Sequence, residues 1–309
     1  MEFRYQKKLD CLGSQAFLTI ITDQGNNFKD EIFKELINKI NVFENAFSRF
    51  LSQSELTKFN ELAGKKTKIS PEFRDILIVT KKMSELTNNI FTPFILPSLQ
   101  KAGYITSWTN KDVVSPDFKN RINSPDFSIN IGSDWAEIPK DSALDLGGIG
   151  KGYLLDQLSD FLKSKKIDNY WLSLGGDIIC DGQDINNKPW CINCSDAINT
   201  NLTIDSIENT NGRKLAIATS GVTKRKGFRN NKAWNHIIDP KTNEPISSNI
   251  LTVTVTANNA VTADVMAKYI LIEGLSKAKQ LIEDGQINGF LVQSLGFSSK
   301  IEVVKDNIN

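Results

Sequence analysis

Several short stretches of this 309-residue sequence place groups that can act on phosphates. Asp145-Leu146-Gly147-Gly148-Ile149-Gly150-Lys151-Gly152-Tyr153 sets four glycines and a lysine just ahead of a helical pattern. Backbone N–H groups at such a turn, the positive helix end and the Lys151 ammonium suit a phosphate or pyrophosphate. The spacing is not Walker A, because Asp145 stands where its first Gly should be and Gly152 where Ser/Thr should be, and it is not GxGxxG. A glycine-lined packing turn is the plain alternative. Gly175-Gly176-Asp177 is a similar turn. His236 is the only histidine, so imidazole acid/base chemistry near neutral pH must run through it; a structural side chain is its alternative. Thr262-Ala263-Asp264 reads as a helix start with Thr262 as N-cap. Asp264 and Lys268, four apart, share a helix face and can pair, for roughly a few tenths of a kcal/mol if exposed. Cys191 and Cys194 have CxxC spacing, but their segment reads as a strand, where residues three apart point to opposite faces. Redox or zinc chemistry is therefore not expected there.

The elements that would position these groups follow from hydrophobic periodicity. Phe17 to Thr22 reads as a strand and residues 23–27 as a turn. Ile32, Leu36, Ile40, Phe43 and Phe47 recur every three or four residues, the mark of a long amphipathic helix. Ser54 to Asn60 reads as a polar segment, Pro71 to Asn88 as a second helix with proline in its first turn, and the prolines of Phe91 to Pro97 as a break. Gly103 to Pro139 suggests short strands and loops. After the Gly-rich turn, Leu154, Leu155, Leu158, Phe161 and Leu162 line one side of a helix, and Tyr170 to Leu174 forms a buried strand. Leu251 to Ala257 alternates as a half-buried strand. Helices from about Thr262 and near Ser276, then strands near Phe290 and Ile301, complete the pattern. Without a regular βαβ period, the class is α+β, in a single domain over residues 1–309.

Apolar residues make up 40% and charged residues 24%, as in a soluble globular protein. Lys+Arg 37 against Asp+Glu 36 leaves no basic field, which argues against a nucleic-acid partner. No apolar run approaches the roughly 18 residues of a membrane span, and the first residues carry no secretory pattern. Four cysteines are too sparse for a disulfide scaffold, so the cytoplasm is the expected compartment.

Taken in order, these stretches resemble the ApbE family of FAD:protein FMN transferases. Asp145 to Tyr153 with Asp156 is similar to that family's DLGxIxKGYxxD, and Ser173-Leu174-Gly175-Gly176-Asp177 to its NLGGD. Ala218-Thr219-Ser220-Gly221 resembles its ATSG, His236-Ile237-Ile238-Asp239-Pro240 its HIIDPxTGxP, and Thr262-Ala263-Asp264 its (S/L)AD. Upstream, Phe47-Ser48-Arg49-Phe50 to Asn60 is similar to S-x-Y…SE-[IL]-x-x-x-N. The likeness runs from about Leu12 to Gly274. It implies a T-fold-like α+β architecture, with mixed or antiparallel sheets and helices around an FAD groove. The implied reaction cleaves the FAD pyrophosphate with Mg²⁺, attaches FMN to a Thr or Ser of an acceptor protein such as a redox-complex subunit, and releases AMP. Carried over by the resemblance, Leu12, Phe50, Ile90, Phe91, Thr92, Asp145, Lys151 and Ile238 contact FAD. The Gly148 carbonyl and the Asp264 carboxylate hold the metal, and His236 serves as acid/base or orienting group near the phosphates.

Four positions depart from the pattern. Lys268 stands where the family has Thr after ADxxx, replacing a neutral oxygen by an ammonium that has no acceptor. Thr92 replaces a common Asp, Ser173 a common Asn, and Phe50 a common Tyr. Two alternatives therefore stay open at this stage: a metal-dependent FAD pyrophosphatase, and a non-catalytic FAD-binding protein weakened by Lys268.

Overall fold

A computed structural model describes residues 2–107, 110, 112–122, 128–229, 232–296 and 300–308. Part of the loop-rich stretch expected between Gly103 and Pro139 lies outside the described residues. The helices are α1 (Asn26–Phe47), α2 (Glu55–Glu61), α3 (Pro71–Leu86), α4 (Leu96–Ala102), α5 (Gly150–Ser164), α6 (Ala260–Glu273) and α7 (Leu275–Glu283). The strands are β1 (Phe3–Cys11), β2 (Ser14–Thr22), β3 (Thr67–Lys68), β4 (Asn130–Ile131), β5 (Trp135–Glu137), β6 (Asn169–Leu174), β7 (Asp177–Asp181), β8 (Cys191–Ser195) and β9 (Thr203–Glu208). They continue with β10 (Leu215–Gly221), β11 (Lys226–Arg229), β12 (Lys232–Asn235), β13 (Ile238–Asp239), β14 (Glu244–Pro245), β15 (Ile250–Ala257), β16 (Gly289–Leu295) and β17 (Ile301–Asp306). Helices packed with antiparallel sheets make this an α+β fold.

The chain forms two compact units, each discontinuous: residues 1–42, 151–221 and 249–309 make the first, residues 43–150 and 222–248 the second. The first unit is built on an eight-stranded sheet in the order β1-β2-β6-β7-β10-β15-β16-β17, antiparallel throughout. Its edges, β1 and β17, are mostly exposed and carry charged residues along their length, which discourage further pairing. Helix α6 packs against β10 and β15. The β8–β9 hairpin adds Trp190, Ile192, Cys194 and Ile207 to a core with Ile178, Ile217 and Leu291. Gln293 ties the hairpin down, accepting from the Ala197 amide at 2.8 Å and donating to the Ser195 carbonyl at 3.0 Å. Covered in this way, β15 is buried at every position rather than at alternate ones. The expectation of a half-buried strand is corrected: its threonines are interior, with the hydroxyls of Thr219 and Thr254 hydrogen-bonded at 2.9 Å.

The second unit holds the small β3-β5-β4 sheet with α2, α3 and α4. Phe43, Phe47, Phe59 and Phe73 interlock there, their successive ring centroids 4.9–5.4 Å apart. The polar Ser54–Asn60 segment is mostly helix. Ser54 caps α2 by accepting from the Thr57 amide at 3.1 Å, and seven residues are too few for a periodic signal. The helix is interrupted between Leu86 and Leu96 as expected, and Pro97 itself sits in the first turn of α4, where a missing N–H costs nothing. Helix α3 begins at Pro71 as expected, with Ser70 as its cap.

Candidate functional site

In the first unit, the glycine turns and the start of α6 gather around Lys151. Leu12 and Gly13 form the two-residue turn between β1 and β2, both with positive φ, 52° and 63°. A leucine in that conformation is uncommon, and here the two-residue hairpin turn requires it. Next to this turn, Gly175 has φ 64°, and a Cβ on it would come within 2.9 Å of the Ser14 Oγ and 3.5 Å of the Lys151 Cδ. Lys151, on the first turn of α5, pairs with Asp177, the last residue of the Gly-Gly-Asp turn. The Asp177 carboxylate also accepts from the Thr219 amide at 3.3 Å, so the Gly-Gly-Asp and Ala-Thr-Ser-Gly motifs meet at one side chain.

Helix α6 is seated by groups far away in sequence. The Asp156 carboxylate accepts from the Ala260 and Val261 amides at 2.9 and 3.0 Å, satisfying two otherwise orphaned donors at the helix N-terminus. Burial pushes the Asp156 carboxyl above its ordinary value, and these two hydrogen bonds only partly offset that. A Cβ on Gly152 would lie 2.5 Å from the Ala260 carbonyl oxygen, so glycine is required for α5 to approach α6 this closely. The N-cap is Asn259, which accepts from the Thr262 amide at 2.8 Å, and not Thr262 as expected.

On α6 the Asp264 side chain is 2% exposed and ion-paired with Lys268, itself 17% exposed. The pair that the spacing allows is formed, and it is nearly buried rather than exposed. Burial raises the Asp264 carboxyl, but the positive charges of Lys268 and Lys151, with the Lys268 hydrogen bond and the Gly152 amide, outweigh it and hold its pKa below the ordinary carboxylate value. Its Oδ2 is buried and meets no hydrogen-bond partner among the described residues. A buried anionic oxygen without a donor is costly unless something else satisfies it, and a divalent cation would. No cluster of three or more His, Cys, Asp or Glu suited to a metal occurs among the described residues. Asp264 therefore fits a cation that takes one carboxylate and fills its shell with phosphate and water oxygens, the habit of Mg²⁺.

The second unit assembles an aromatic cluster and a second buried ion pair. Arg49 Nε donates to Asp145 Oδ2 at 2.8 Å, with both side chains at most 7% exposed. Both terminal guanidinium nitrogens donate to the Tyr104 carbonyl at 3.2 Å. The guanidinium lies 4.2 Å from the Phe50 ring centroid and 4.5 Å from that of Tyr104. Asp145 Oδ1 accepts from the Gly147 amide at 2.7 Å, so this carboxylate shapes the turn that presents the half-buried Gly148. Asn60 holds the preceding residue, exchanging two hydrogen bonds with Leu144 at 2.8 and 2.9 Å. The Asp145 amide donates to the Pro93 carbonyl at 2.8 Å, which draws the Ile90-Phe91-Thr92 stretch alongside. Ile90 and Phe91 are buried, and the Thr92 Oγ1 accepts from the Phe94 amide.

Around Tyr104 pack Leu99, Ile238, Phe50 and Trp234. The Tyr104 and Trp234 rings stack at 6.0 Å with 24° between planes, and His236 meets the Tyr104 ring edge-on at 6.3 Å. His236 is carried by the segment between β12 and β13, which Asn235 fixes through the Ile237 amide and the Ile246 carbonyl. Cys191 is exposed and Cys194 buried, on opposite faces of β8 as the spacing predicts.

A match to the ApbE family model covers residues 12–291, across both units and every one of these motifs. The chain belongs to the ApbE family. Among curated relatives, it is 24% identical over 278 residues to an FAD:protein FMN transferase of Haemophilus influenzae, covering 84% of this chain and 80% of that protein. It is 31% identical over 144 residues to the FAD:protein FMN transferase of Vibrio cholerae, covering 47% of this chain and 42% of that one. In fold it is similar to the flavin transferase ApbE from Vibrio cholerae, with TM-score 0.81 and 23% identity over 99% of this chain and 98% of that one. The ApbE protein from Thermotoga maritima gives TM-score 0.80 and 21% identity over 97% and 96%.

Within this ApbE fold, the sequence-predicted positions fall into two sets. Leu12, Lys151 and Asp264 lie in the first unit; Phe50, Ile90, Phe91, Thr92, Asp145, Gly148, His236 and Ile238 lie in the second. Arg49, Tyr104 and Trp234 were not among the positions expected from sequence. Arg49 stands inside a recognised motif, but its partner Asp145 is 96 residues away, and nothing local singles out Tyr104 or Trp234.

Proposed function

We propose that this chain is an FAD:protein FMN transferase acting as one catalytic domain. An acceptor Thr or Ser oxygen bonds to the FMN phosphorus, the P–O bond to AMP breaks, and the hydroxyl proton leaves toward His236 as AMP departs. The observation that carries the reading is the family match over residues 12–291, together with a buried carboxylate oxygen on Asp264 that lacks a donor. Lys151, held in place by Asp177, and Lys268, on its partly exposed stem, supply positive charge for a pyrophosphate. In the second unit, half-buried Phe50 and Trp234 offer planar, apolar surface suited to a flavin or adenine ring, with Ile238 and the Ile90–Thr92 stretch as further FAD contacts; Leu12 is the FAD contact of the first unit. Asp145, braced by Arg49, fixes the Gly147-Gly148 turn. Asp264 would hold Mg²⁺, which would neutralise the phosphate charge that builds up during transfer. The acceptor is a protein with an accessible Thr or Ser, such as a redox-complex subunit. No described helix is long and apolar enough to cross a membrane.

The deciding experiment incubates the protein with FAD, Mg²⁺ and a domain carrying a candidate acceptor Thr, with metal omitted as control. The expected result is acceptor heavier by FMN with matching AMP. Free FMN and AMP without acceptor modification would identify a pyrophosphatase instead, and FAD binding without AMP across several acceptors and metals would overturn catalysis.

A further inference from the structure

Asp264 and Lys268 occupy successive turns of α6, and the Lys268 ammonium donates to both the Asp264 carboxylate and, at 3.1 Å, the Asp264 backbone carbonyl. One oxygen of the carboxylate is thus covered by an internal cation while the other, Oδ2, is buried without a donor among the described residues. We propose that Lys268 is an internal competitor for the cation position at Asp264: in the substrate-free protein its ammonium holds the carboxylate, and it must move away before a divalent ion is held. The inference rests on the reading that Asp264 is the cation-binding carboxylate.

The charges argue for competition. Asp264 with Lys268, and Asp177 with Lys151, each sum to zero, so these four side chains retain no net negative charge for a divalent ion. A divalent ion on Oδ2 would face the Lys268 ammonium across a single carboxylate, in surroundings that screen the repulsion poorly. The two lysines differ in what could release them. Asp177 is held from a second side by the Thr219 amide, which favours its staying in place with Lys151. Lys268 is partly exposed on a flexible four-carbon stem, and both its acceptors belong to one residue, so its ammonium can swing toward solvent or toward a substrate phosphate.

The test measures Mn²⁺ binding to the FAD-free protein, read from the spin-resonance signal of free Mn²⁺, with folding checked by thermal melting. Lys268→Thr is expected to bind Mn²⁺ at least tenfold more tightly than wild type. Lys268→Arg, which keeps the charge, should stay as weak as wild type, and adding Asp264→Asn to Lys268→Thr should abolish the gain. Because removing Lys268 leaves a buried carboxylate unpaired and can cost folding, Lys268→Gln provides a second neutral variant that retains a donor. Equal Mn²⁺ affinity in wild type and a folded neutral variant would overturn the proposal, as would a gain of equal size in Lys268→Arg. FAD retention and AMP release by wild type are measured separately. A wild type that neither binds FAD nor releases AMP, beside a neutral variant that gains Mn²⁺ affinity, would sink the transferase reading and leave the competition standing.

Discussion

Asp145 and Asp264 are both buried carboxylates facing a cation, yet their oxygens are used differently. Asp145 spends one on Arg49 and the other on the Gly147 amide, while Arg49 in turn spends its remaining nitrogens on the Tyr104 carbonyl and its faces on two rings. Every polar atom of that carboxylate is engaged, and the result is a rigid turn. Asp264 has a lysine on one oxygen, and its other oxygen meets no hydrogen-bond partner among the described residues. A saturated ion pair braces the backbone, whereas an unsaturated one keeps coordination capacity for something that arrives later. Lysine and arginine suit these two tasks, because a planar guanidinium locks several acceptors together and a mobile ammonium can leave.

The contrast can be broken most forcefully at Arg49. Arg49→Met strands the buried Asp145 charge and should cost about 3–5 kcal/mol of stability, measured by urea unfolding; a loss below about 1 kcal/mol would mean that Asp145 finds another partner. Asp264→Asn should do the reverse, leaving the melting temperature within a few degrees of wild type while lowering AMP release on the order of 100-fold. Asp156→Ala tests a carboxylate of the bracing kind, since it removes two helix-terminal hydrogen bonds; about 1–2 kcal/mol should be lost, with metal-dependent turnover falling as α6 loosens. The smallest effect concerns acid. Asp264 has a pKa below its ordinary 3.8 in the folded protein, so its contribution to stability is complete above that value and is lost as pH falls through the folded one. Comparing acid unfolding of wild type and Asp264→Asn should show a shallower loss for the variant below pH 4, and identical curves would remove Asp264 from the acid response.

Much of the scaffold is legible along the chain because its signals repeat within a few residues. The face of α1 is spelled by Ile32, Leu36, Ile40, Phe43 and Phe47, all buried, and α3 by its proline and serine cap. Candidate chemistry is legible where motifs keep a local order, as at Asp145–Tyr153. Partners are not legible. The motif picks out Asp156, but nothing local shows that it holds amides 104 and 105 residues later. Thr262 reads as a cap by residue type, and Asn259 takes the role because its extended backbone aims its side chain at the Thr262 amide.

By itself, then, the sequence determined the α+β class, the core-facing periods and the ordered motifs that mark the family, all of which depend on neighbours within one or two turns or on type in sequence. Tertiary structure alone decided that β15 is buried on both faces, that Asp145 is saturated and that Asp264 is not. Burial and hydrogen-bond saturation are properties of groups brought together from distant parts of the chain, and no local spacing records which oxygen is left without a donor.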